Sequence, residues 1–278
     1  MPTISENLRT WNVRYNWSAE GDEWSREFGG TEALWWFVIY PRIHRFLPAS
    51  AILEIAPGYG RWTQFLKAQC QSMIAVDLSE RCIEHCKRRY ASDSHIEFQV
   101  NDGESLAAVP DNSIDFVFSF DSLVHAEKEV MEAYVSQMAE KLRPDGVGFI
   151  HHSNFGSYPK RVMLKSQYLR LPLMFRRYVL TENLATALLS MNLDAWRATS
   201  MTTELFRNYC EKAGLKCVSQ ELISWGNGKC LIDGLSVFAK PNSRWDERDE
   251  CLRNEEFIKN THLTSRLAGL YCDRRAGS

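Results

Sequence analysis

Glycine, acidic and histidine residues recur in this chain directly after short apolar runs. The first group, Glu54-Ile-Ala-Pro-Gly-Tyr-Gly60, follows the run that begins at Ala51. Three further groups read DLS (77–79), NDGES (101–105) and SFDSLVH (119–125), and a fifth, HHSN (151–154), follows the run VGFI. A glycine turn exposes backbone N–H groups to a ligand, carboxylates accept its hydrogen bonds, and histidine accepts a proton near neutral pH. The pattern therefore indicates a ligand site with an acid–base group beside it.

The glycine turn narrows the class of ligand. A dinucleotide site needs a third glycine in G-x-G-x-x-G, but Thr63 occupies that position after Gly58 and Gly60. A Walker-type phosphate loop needs a Gly-Lys-Ser/Thr ending, which the sequence lacks. Glu54, just before the turn, would repel a pyrophosphate and attract an ammonium group. We therefore expect a zwitterionic, cationic cofactor.

A parallel sheet is needed to bring these groups together. Apolar strands that alternate with helices predict an α/β, doubly wound sheet, because parallel strands buried on both faces need helical crossovers. We predict parallel strands at Ala51–Ile55, Ser72–Val76, Ile96–Val100, Ile114–Phe118 and Val147–Ile150. Helices are predicted at Trp62–Cys70, Glu80–Tyr90, near Gly103–Val109 and at Glu127–Leu142, with LRPDG (142–146) as a helix stop.

The second half of the chain completes a seven-stranded sheet. A helix is predicted at Thr202–Ala213, followed by strands at Leu215–Ile223 and Leu235–Lys240, whose short connection makes them an antiparallel pair at the sheet edge. The predicted division is a Trp-rich helical N-terminal cap (1–48), a Rossmann-like domain (49–241) with an inserted lid (about 156–198), and a charged C-terminal tail or helix (242–278).

Composition excludes several classes of function. A formal charge of −2 over 278 residues gives no general attraction to nucleic acid. The longest uncharged apolar stretch, 33–41, is too short to span a bilayer, and no signal peptide is apparent, so we expect a cytoplasmic protein without stable membrane insertion. The eight cysteines lack a CxxC spacing and are expected to be reduced thiols, with Cys82 and Cys86 in the core rather than on a metal. The oligomeric state stays open, a homodimer included.

The glycine turn and the strand-end acids together resemble the class I S-adenosylmethionine-dependent methyltransferases. The first motif of that family is E/D-x-G-x-G-x-G, which Glu54, Gly58 and Gly60 match, while Ala56 replaces the first glycine. We expect alanine to be tolerated there if its φ angle is negative. The resemblance covers about residues 51–150 and implies S-adenosyl-L-methionine as cofactor, with S-adenosyl-L-homocysteine as product.

The same resemblance implies which residues hold the cofactor. Asp77 would accept hydrogen bonds from the ribose hydroxyls, and Asp102 one from the adenine amino group, with Gly103 allowing the ring to lie flat. Ser119 and Phe120 would line the methionine and ribose side. The full set of expected cofactor residues is Glu54, Ala56, Gly58, Gly60, Asp77, Leu78, Asn101, Asp102, Gly103, Ser119, Phe120 and Trp24.

Methyl transfer to a hydroxyl needs a base, and histidine is the candidate. The expected catalytic group comprises His125, His151 and His152, with Asp121 orienting the base. Because residues 151 and 152 point to opposite sides of a strand, one of them is expected to face the cleft. Two alternatives stay open: the histidines are satisfied polar residues, or Asp121, a histidine and Asn154 hold Mg²⁺. We expect no metal, because magnesium prefers carboxylate ligands and the HHSN group (151–154) contains none.

The acceptor is expected to be a sugar or another polar small molecule. The stretches GDEW, FDSLVH and FIHHSN are similar to methyltransferases of bacterial surface glycans and natural-product sugars. Residues 155–181 contain six basic and no acidic side chains, which suits an anionic or lipid-linked glycan acceptor, or else forms a solvated basic face. Tyr15, Trp196 and Arg197 are candidate substrate contacts, with core packing as the alternative.

We thus predict an O-methyltransferase with a histidine base. N- or carboxyl-methylation of a small molecule or peptide, and a non-catalytic cofactor-binding module, stay as alternatives.

Overall fold

The computed structural model describes residues 3–159, 197–225, 230–246 and 249–271. These residues form an eight-stranded sheet in the order β3-β2-β1-β4-β5-β7-β6-β8. The strands are β1 Ala49–Ile55, β2 Cys70–Asp77, β3 Ile96–Val100, β4 Ile114–Ser119, β5 Leu142–Ser153, β6 Lys216–Ile223, β7 Asp233–Ala239 and β8 Glu250–Asn254. Only β7 runs antiparallel to its neighbours β5 and β6 in this set. The predicted doubly wound α/β fold is confirmed.

The helices cover both faces of the sheet. They are α1 Ile4–Arg9, α2 Thr31–Leu34, α3 Tyr40–Ile43, α4 Thr63–Leu66, α5 Glu80–Arg89, α6 Lys128–Lys141, α7 Thr203–Lys212 and α8 Phe257–Tyr271. One core cluster joins the sheet to α6 and α7, through Met131 and Phe206 among others, and a second joins it to the N-terminal helices through Trp35 and Ile39. No helix of the described ranges is both long and apolar enough to cross a membrane.

The sheet has one strand more than predicted. The segment expected as a charged tail or helix contributes β8 as well as α8, and β8 pairs in parallel with β6 from Ser219 opposite Glu250 to Ile223 opposite Asn254. The predicted antiparallel pair of β6 and β7 is confirmed. It does not end the sheet, because β8 covers the backbone groups that β6 would otherwise leave unpaired at the edge.

One local prediction was wrong because of side-chain hydrogen bonds. No helix forms near Gly103–Val109, because Asp102 Oδ1 accepts hydrogen bonds from the backbone N–H groups of Glu104 (3.0 Å) and Ser105 (2.7 Å), a turn that competes with a helix. The LRPDG helix stop is confirmed, since α6 ends at Lys141, but β5 begins at Leu142, five residues earlier than predicted, with an irregular register against β4. The helix predicted at Trp62–Cys70 is shorter: α4 is followed by a 3-10 turn at Lys67–Gln69.

Residues 3–30 cross the carboxyl edge of the parallel strands. The Asn12 side chain accepts hydrogen bonds from the Ser79 hydroxyl and the Arg81 N–H, both at 3.0 Å, and so holds this segment at the N-terminus of α5. The segment therefore lies over the strand ends where doubly wound folds bind ligands. Most of the predicted lid, residues 160–196, lies outside the described residues.

Candidate active site

A cavity of about 930 Å³, partly open to solvent, lies between the strand ends and the N-terminal segment. Its walls come from the glycine turn after β1, from the ends of β2 and β4, and from residues 4–24. Six of the lining residues are Trp11, Trp17, Trp24, Gly58, Asp77 and Asp121. The N-terminal cap thus forms a wall of the cavity as well as part of the core.

Three alternate positions of the glycine turn are in the left-handed conformation. The φ angles are +59° at Ala56, +59° at Gly58 and +84° at Gly60. The condition under which alanine was expected to be tolerated at position 56, a negative φ, is therefore not met. Its backbone is held on both sides, because its N–H donates to the Val76 carbonyl (2.7 Å) and its carbonyl accepts from the Ser122 hydroxyl (2.8 Å). These bonds offset the strain of a left-handed L-residue.

The two glycines are also needed for close packing of aromatic rings. A Cβ at Gly58 would lie 3.0 Å from the Trp17 ring, and one at Gly60 would lie 2.6 Å from the Tyr90 ring. Tyr90 donates its hydroxyl hydrogen to the Gly60 carbonyl at 2.7 Å. Gly58 lines the cavity, whereas Gly60 does not. Gly58 is therefore the position at which a ligand can approach the backbone, and Gly60 is a packing residue.

Asp77 lies at the centre of the cavity's polar wall. Its Oδ2 accepts the Gly58 N–H at 3.0 Å and its Oδ1 accepts the Ser79 N–H at 2.8 Å. Burial raises the pKa of this carboxyl to about 6, although the two backbone hydrogen bonds act in the opposite direction. Leu78 and Gly103 line the cavity beside it. The carboxylate, the adjacent N–H groups and the absent Cβ of Gly58 are the features that a ribose and an amino-acid chain require, so these residues fit the expected cofactor.

Glu54 lies behind the glycine turn rather than at the cavity. It is buried, it does not line the cavity, and its Oε2 accepts a hydrogen bond from the Thr63 hydroxyl at 2.5 Å. Burial raises the pKa of this carboxyl to about 8, and the nearby Asp77 adds to the shift while Thr63 opposes it. The structure therefore does not place Glu54 in direct contact with a bound ammonium group, as the sequence had indicated.

Most of the remaining expected cofactor residues do not line the cavity. Asp102 is exposed and does not line the cavity, so it does not reach an adenine amino group in this conformation. Asn101 donates to the Ser105 carbonyl (2.9 Å) and to the hydroxyl oxygen of Tyr134 (3.0 Å), a cavity residue. Ser119 and Phe120 are buried below the cavity floor. Trp24 does line the cavity, as expected.

The three candidate histidines lie in different environments. His125, in the 3-10 turn Leu123–His125, lines the cavity. His152 stacks on Phe206 of α7 with ring centroids 4.4 Å apart, its Nε2 lies 2.8 Å from the Ser236 hydroxyl, and burial lowers its pKa to about 4. His151 is also buried and does not line the cavity. The expectation that residue 151 or 152 faces the cleft was wrong, because Phe120 and Trp225 cover His151 on one face of β5 and Phe206 covers His152 on the other.

Asp121 lines the cavity but does not orient a histidine with its carboxylate. The carboxylate accepts a hydrogen bond from Arg61 Nη2 at 2.8 Å, and its backbone N–H donates to His151 Nδ1 at 3.1 Å. The carboxylate beside His151 is Asp233, whose Oδ2 lies 3.2 Å from Nε2. Sequence reasoning missed Asp233, which is 82 positions from His151 in the chain but near it through the pairing of β5 with β7, where Ser153 lies opposite Asp233.

Two of the three expected substrate contacts, Tyr15 and Arg197, do not line the cavity. Tyr15 packs among Trp11, Trp17 and Trp24, with ring centroids 5.0–5.3 Å away, and its hydroxyl hydrogen-bonds to Glu23. Arg197 is buried and paired with Asp233 at 2.8 Å. Trp196 lies outside the described residues.

Trp17, a candidate for stacking from the sequence, lines the cavity, whereas Arg61 is a cavity residue that sequence reasoning missed. Arg61 lies between the Trp62 and Trp24 rings, at 4.4 and 5.3 Å from their centroids, and donates to the Ser25 hydroxyl at 3.1 Å. Its position directly after the glycine turn was the available signal. Arg61 thereby joins the turn, the N-terminal segment and Asp121.

The described ranges hold no group of three or more His, Cys, Asp or Glu side chains that could bind a metal ion. Asn154, the amide of the magnesium alternative, donates to the Leu231 carbonyl at 2.7 Å and accepts from the Thr203 N–H at 3.0 Å. Asn154 thus serves the packing of α7 against β7. Metal independence stays a prediction.

Known proteins share the sequence pattern of this site. Residues 52–146 match a family described as "Methyltransferase domain". Phosphoethanolamine N-methyltransferase 1 from Triticum aestivum is 30% identical over 120 residues, which cover 41% of this chain. The chain spans only 24% of that relative's length.

Solved structures share the fold. N-methyltransferase NodS from Bradyrhizobium japonicum WM9, solved in complex with S-adenosyl-l-homocysteine, has a TM-score of 0.54 at 16% identity, covering 87% of this chain and 100% of that one. The PH0226 protein from Pyrococcus horikoshii OT3 has a TM-score of 0.50 at 18% identity, covering 84% and 95%. At such identities the likeness shows the fold alone. Residues 52–146 therefore form a methyltransferase domain, the part of the chain that the family model matches.

Proposed function

We propose that this protein transfers the methyl group of S-adenosylmethionine to a hydroxyl of a sugar or another polar small molecule, with His125 as the general base. One observation carries the proposal. His125 lines the same cavity as Gly58 and Asp77, whereas His151 and His152 are enclosed in the core. A base must reach the acceptor oxygen, and of the three histidines only His125 has that access.

The cofactor half of the cavity supports the same reaction. S-adenosylmethionine supplies an electrophilic methyl group when bound. Asp77 would bind the ribose hydroxyls, and the Gly58 region would let the amino-acid chain approach the backbone. Trp11, Trp17 and Trp24 would exclude water from the reacting atoms.

On the acceptor side, the protein needs only to align the hydroxyl oxygen with the methyl group and to remove the hydroxyl proton. With S-adenosylmethionine bound, the acceptor oxygen would take the methyl group from the sulfonium and leave the thioether, and the His125 imidazole would accept the hydroxyl proton. The His125 backbone is held by Asn7, whose side chain donates to the His125 carbonyl at 3.2 Å. The N-terminal segment would thus keep the base in place.

Calorimetry with S-adenosylhomocysteine is the first test, followed by a screen of sugars, polyols and amino alcohols as acceptors. We expect His125→Ala to lower kcat/KM for a hydroxyl acceptor by about 10²–10⁴-fold while the Kd for S-adenosylhomocysteine changes less than about twofold. His262→Ala, an exposed histidine on α8, is the matched control. Unchanged turnover of His125→Ala would exclude the base, and failure to bind S-adenosylhomocysteine would exclude the cofactor site.

N-methylation is the second candidate. The wheat relative is named an N-methyltransferase, and the four indoles that line the cavity suit a cationic or amine acceptor. A neutral amine needs little help from a base. Turnover of an amine acceptor that survives His125→Ala would therefore favour N-methylation over O-methylation.

A further inference from the structure

A chain of four buried charges runs from β7 to the cavity wall. Arg197 donates to both oxygens of Asp233, from Nε at 2.9 Å and from Nη2 at 2.8 Å, and its Nη2 lies 3.9 Å from Asp121 Oδ1. Asp121 Oδ2 in turn accepts from Arg61 Nη2 at 2.8 Å. Two positive and two negative charges alternate, so each carboxylate has a guanidinium partner. Of the four residues, Asp121 and Arg61 line the cavity.

The backbone of Asp121 is held in an unusual conformation. Its φ angle is +61°, a left-handed value that a residue with a Cβ seldom adopts. The Asp121 N–H donates to His151 Nδ1 at 3.1 Å, which keeps the main chain in this position. The cost of this left-handed backbone is thus offset by the hydrogen bond that Asp121 donates to His151, a residue that does not line the cavity.

His151 lies between Asp121 and Asp233. Because Nδ1 accepts from the Asp121 N–H, the ring proton of the neutral form is on Nε2, which lies 3.2 Å from Asp233 Oδ2. The negative charge of Asp233 favours that tautomer, although the Nε2–H does not meet hydrogen-bond geometry towards Oδ2. His151 does not line the cavity, so it can act on a substrate only through Asp121.

The Asp121 carboxylate is an anion at the cavity wall. Burial opposes its ionisation, but the charges of Arg61 and Arg197 outweigh burial and lower its pKa. An ionised carboxylate can only accept hydrogen bonds. Its free capacity therefore suits a hydroxyl or an ammonium group on the acceptor, and does not suit a phosphate or a carboxylate.

We propose that His151 and Asp233 are positioning residues that set the orientation of Asp121, and that Asp121 selects acceptors with a hydrogen-bond donor next to the methylated group. Vicinal diols and amino alcohols are the corresponding class. This proposal rests on the proposed function, since it assigns the acceptor side of the same cavity.

Crystal structures and acceptor kinetics together test the proposal. The single variants are Asp121→Asn, His151→Leu and Asp233→Asn. A double variant, Arg197→Met with Asp233→Leu, removes both charges of the buried pair. It leaves no unpaired buried charge, so it should fold even if Asp233→Asn alone does not. Arg42→Met with Glu221→Leu is the matched control, because it removes another two-bond arginine–carboxylate pair (2.6 and 2.8 Å) that does not line this cavity.

In crystals with S-adenosylhomocysteine, we expect the His151 and Asp233 variants to lose the left-handed φ of Asp121 or its 2.8 Å contact with Arg61. The control should keep both. This readout does not depend on an identified acceptor. An Asp121 conformation unchanged in all of these variants would overturn the positioning role.

Acceptor kinetics test the selection. We expect the wild type to prefer a diol or amino alcohol over its analogue without the second donor group by at least about tenfold in kcat/KM. Asp121→Asn should abolish the preference, His151→Leu should reduce it, and the two together should lose no more than Asp121→Asn alone. A preference that survives Asp121→Asn would overturn the selection. The proposed function fails separately, if S-adenosylhomocysteine does not bind or if His125→Ala retains full turnover of the diol.

Discussion

The indole of Trp17 lies flat on the ring of Tyr59, with centroids 4.4 Å apart and 7° between the planes. Tyr59 stacks in the same way on His85 of α5, at 3.8 Å and 12°. Glu20, three residues after Trp17, pairs with Arg89 of α5 at 2.9 Å. The N-terminal segment is therefore attached to the glycine turn and to α5 by both aromatic and charged contacts, over the cavity that the cofactor would occupy.

We expect Trp17→Leu to weaken the binding of S-adenosylhomocysteine about tenfold. The substitution removes the stack on Tyr59 and one indole of the cavity wall, a loss of about 1–1.5 kcal/mol for an aromatic pair beyond its buried area. Calorimetric titration of the folded variant measures the change in Kd.

Trp36→Leu is the matched control for the Trp17 variant. Its side chain is 43% exposed and does not line the cavity, so the Kd should be unchanged. Equal affinities of wild type and Trp17→Leu would show that the N-terminal segment does not contribute to cofactor binding.

Seven of the eight described strands could be predicted from sequence because each contains a short apolar run, whereas β8 is mostly exposed and was not predicted. The bounds of β3, Ile96–Val100, are those predicted, and the others differ by a few residues except β5, which extends through Pro144. The helix predicted near Gly103–Val109 does not form, because side-chain hydrogen bonds of Asp102 set the backbone conformation there. Hydrophobic periodicity in the sequence carries no information about such bonds.

Residues of the site could be predicted only where a local sequence motif marks them. Gly58 and Asp77 lie next to strand ends, so a motif locates them. Asp233 approaches His151 through strand pairing, and Trp17 reaches the turn because residues 3–30 cross the sheet edge. Tertiary contacts of this kind leave no local pattern. The alternation of His151 and His152 was foreseeable, but the packing that closes both sides was not.

We expect Ala56→Gly to stabilise the protein by about 0.5–1 kcal/mol. Ala56 has a φ of +59°, where glycine has no steric penalty, and the relief exceeds the extra entropy of glycine in the unfolded chain. The free energy of unfolding from urea denaturation measures the effect. Ala107→Gly, at an exposed turn position without a positive φ, should instead lose stability. A loss at both positions would contradict the strain at Ala56.

We expect turnover to be unaffected by excess EDTA. The ligands of the magnesium alternative are engaged elsewhere: Asp121 is paired with Arg61, and the Asn154 amide bonds to Leu231 and Thr203. The measurement is the initial rate after chelation, with and without added Mg²⁺. Activity that disappears with EDTA and returns with Mg²⁺ would show that a metal takes part.

Glu54 makes the stability of the protein depend on pH. Burial raises its pKa from 4.5 to about 8, so between these values the folded state binds a proton that the unfolded state has released. Stability from this group is therefore greatest below about pH 4.5 and falls as pH rises towards 8. We expect the unfolding free energy of Glu54→Gln, relative to wild type, to rise by about 3 kcal/mol between about pH 5 and about pH 7.5, because glutamine does not ionise.

Urea denaturation of both proteins at the two pH values measures this difference. The pKa of Asp77 is also raised, to about 6, but Asp77 is present in both proteins and its contribution largely cancels. Glu97→Gln, at an exposed position on β3, is the matched control and should shift stability equally at both pH values. A Glu54→Gln difference that does not grow with pH would mean that the carboxyl is already ionised in the folded protein and that a positive partner such as Arg61 holds this buried charge.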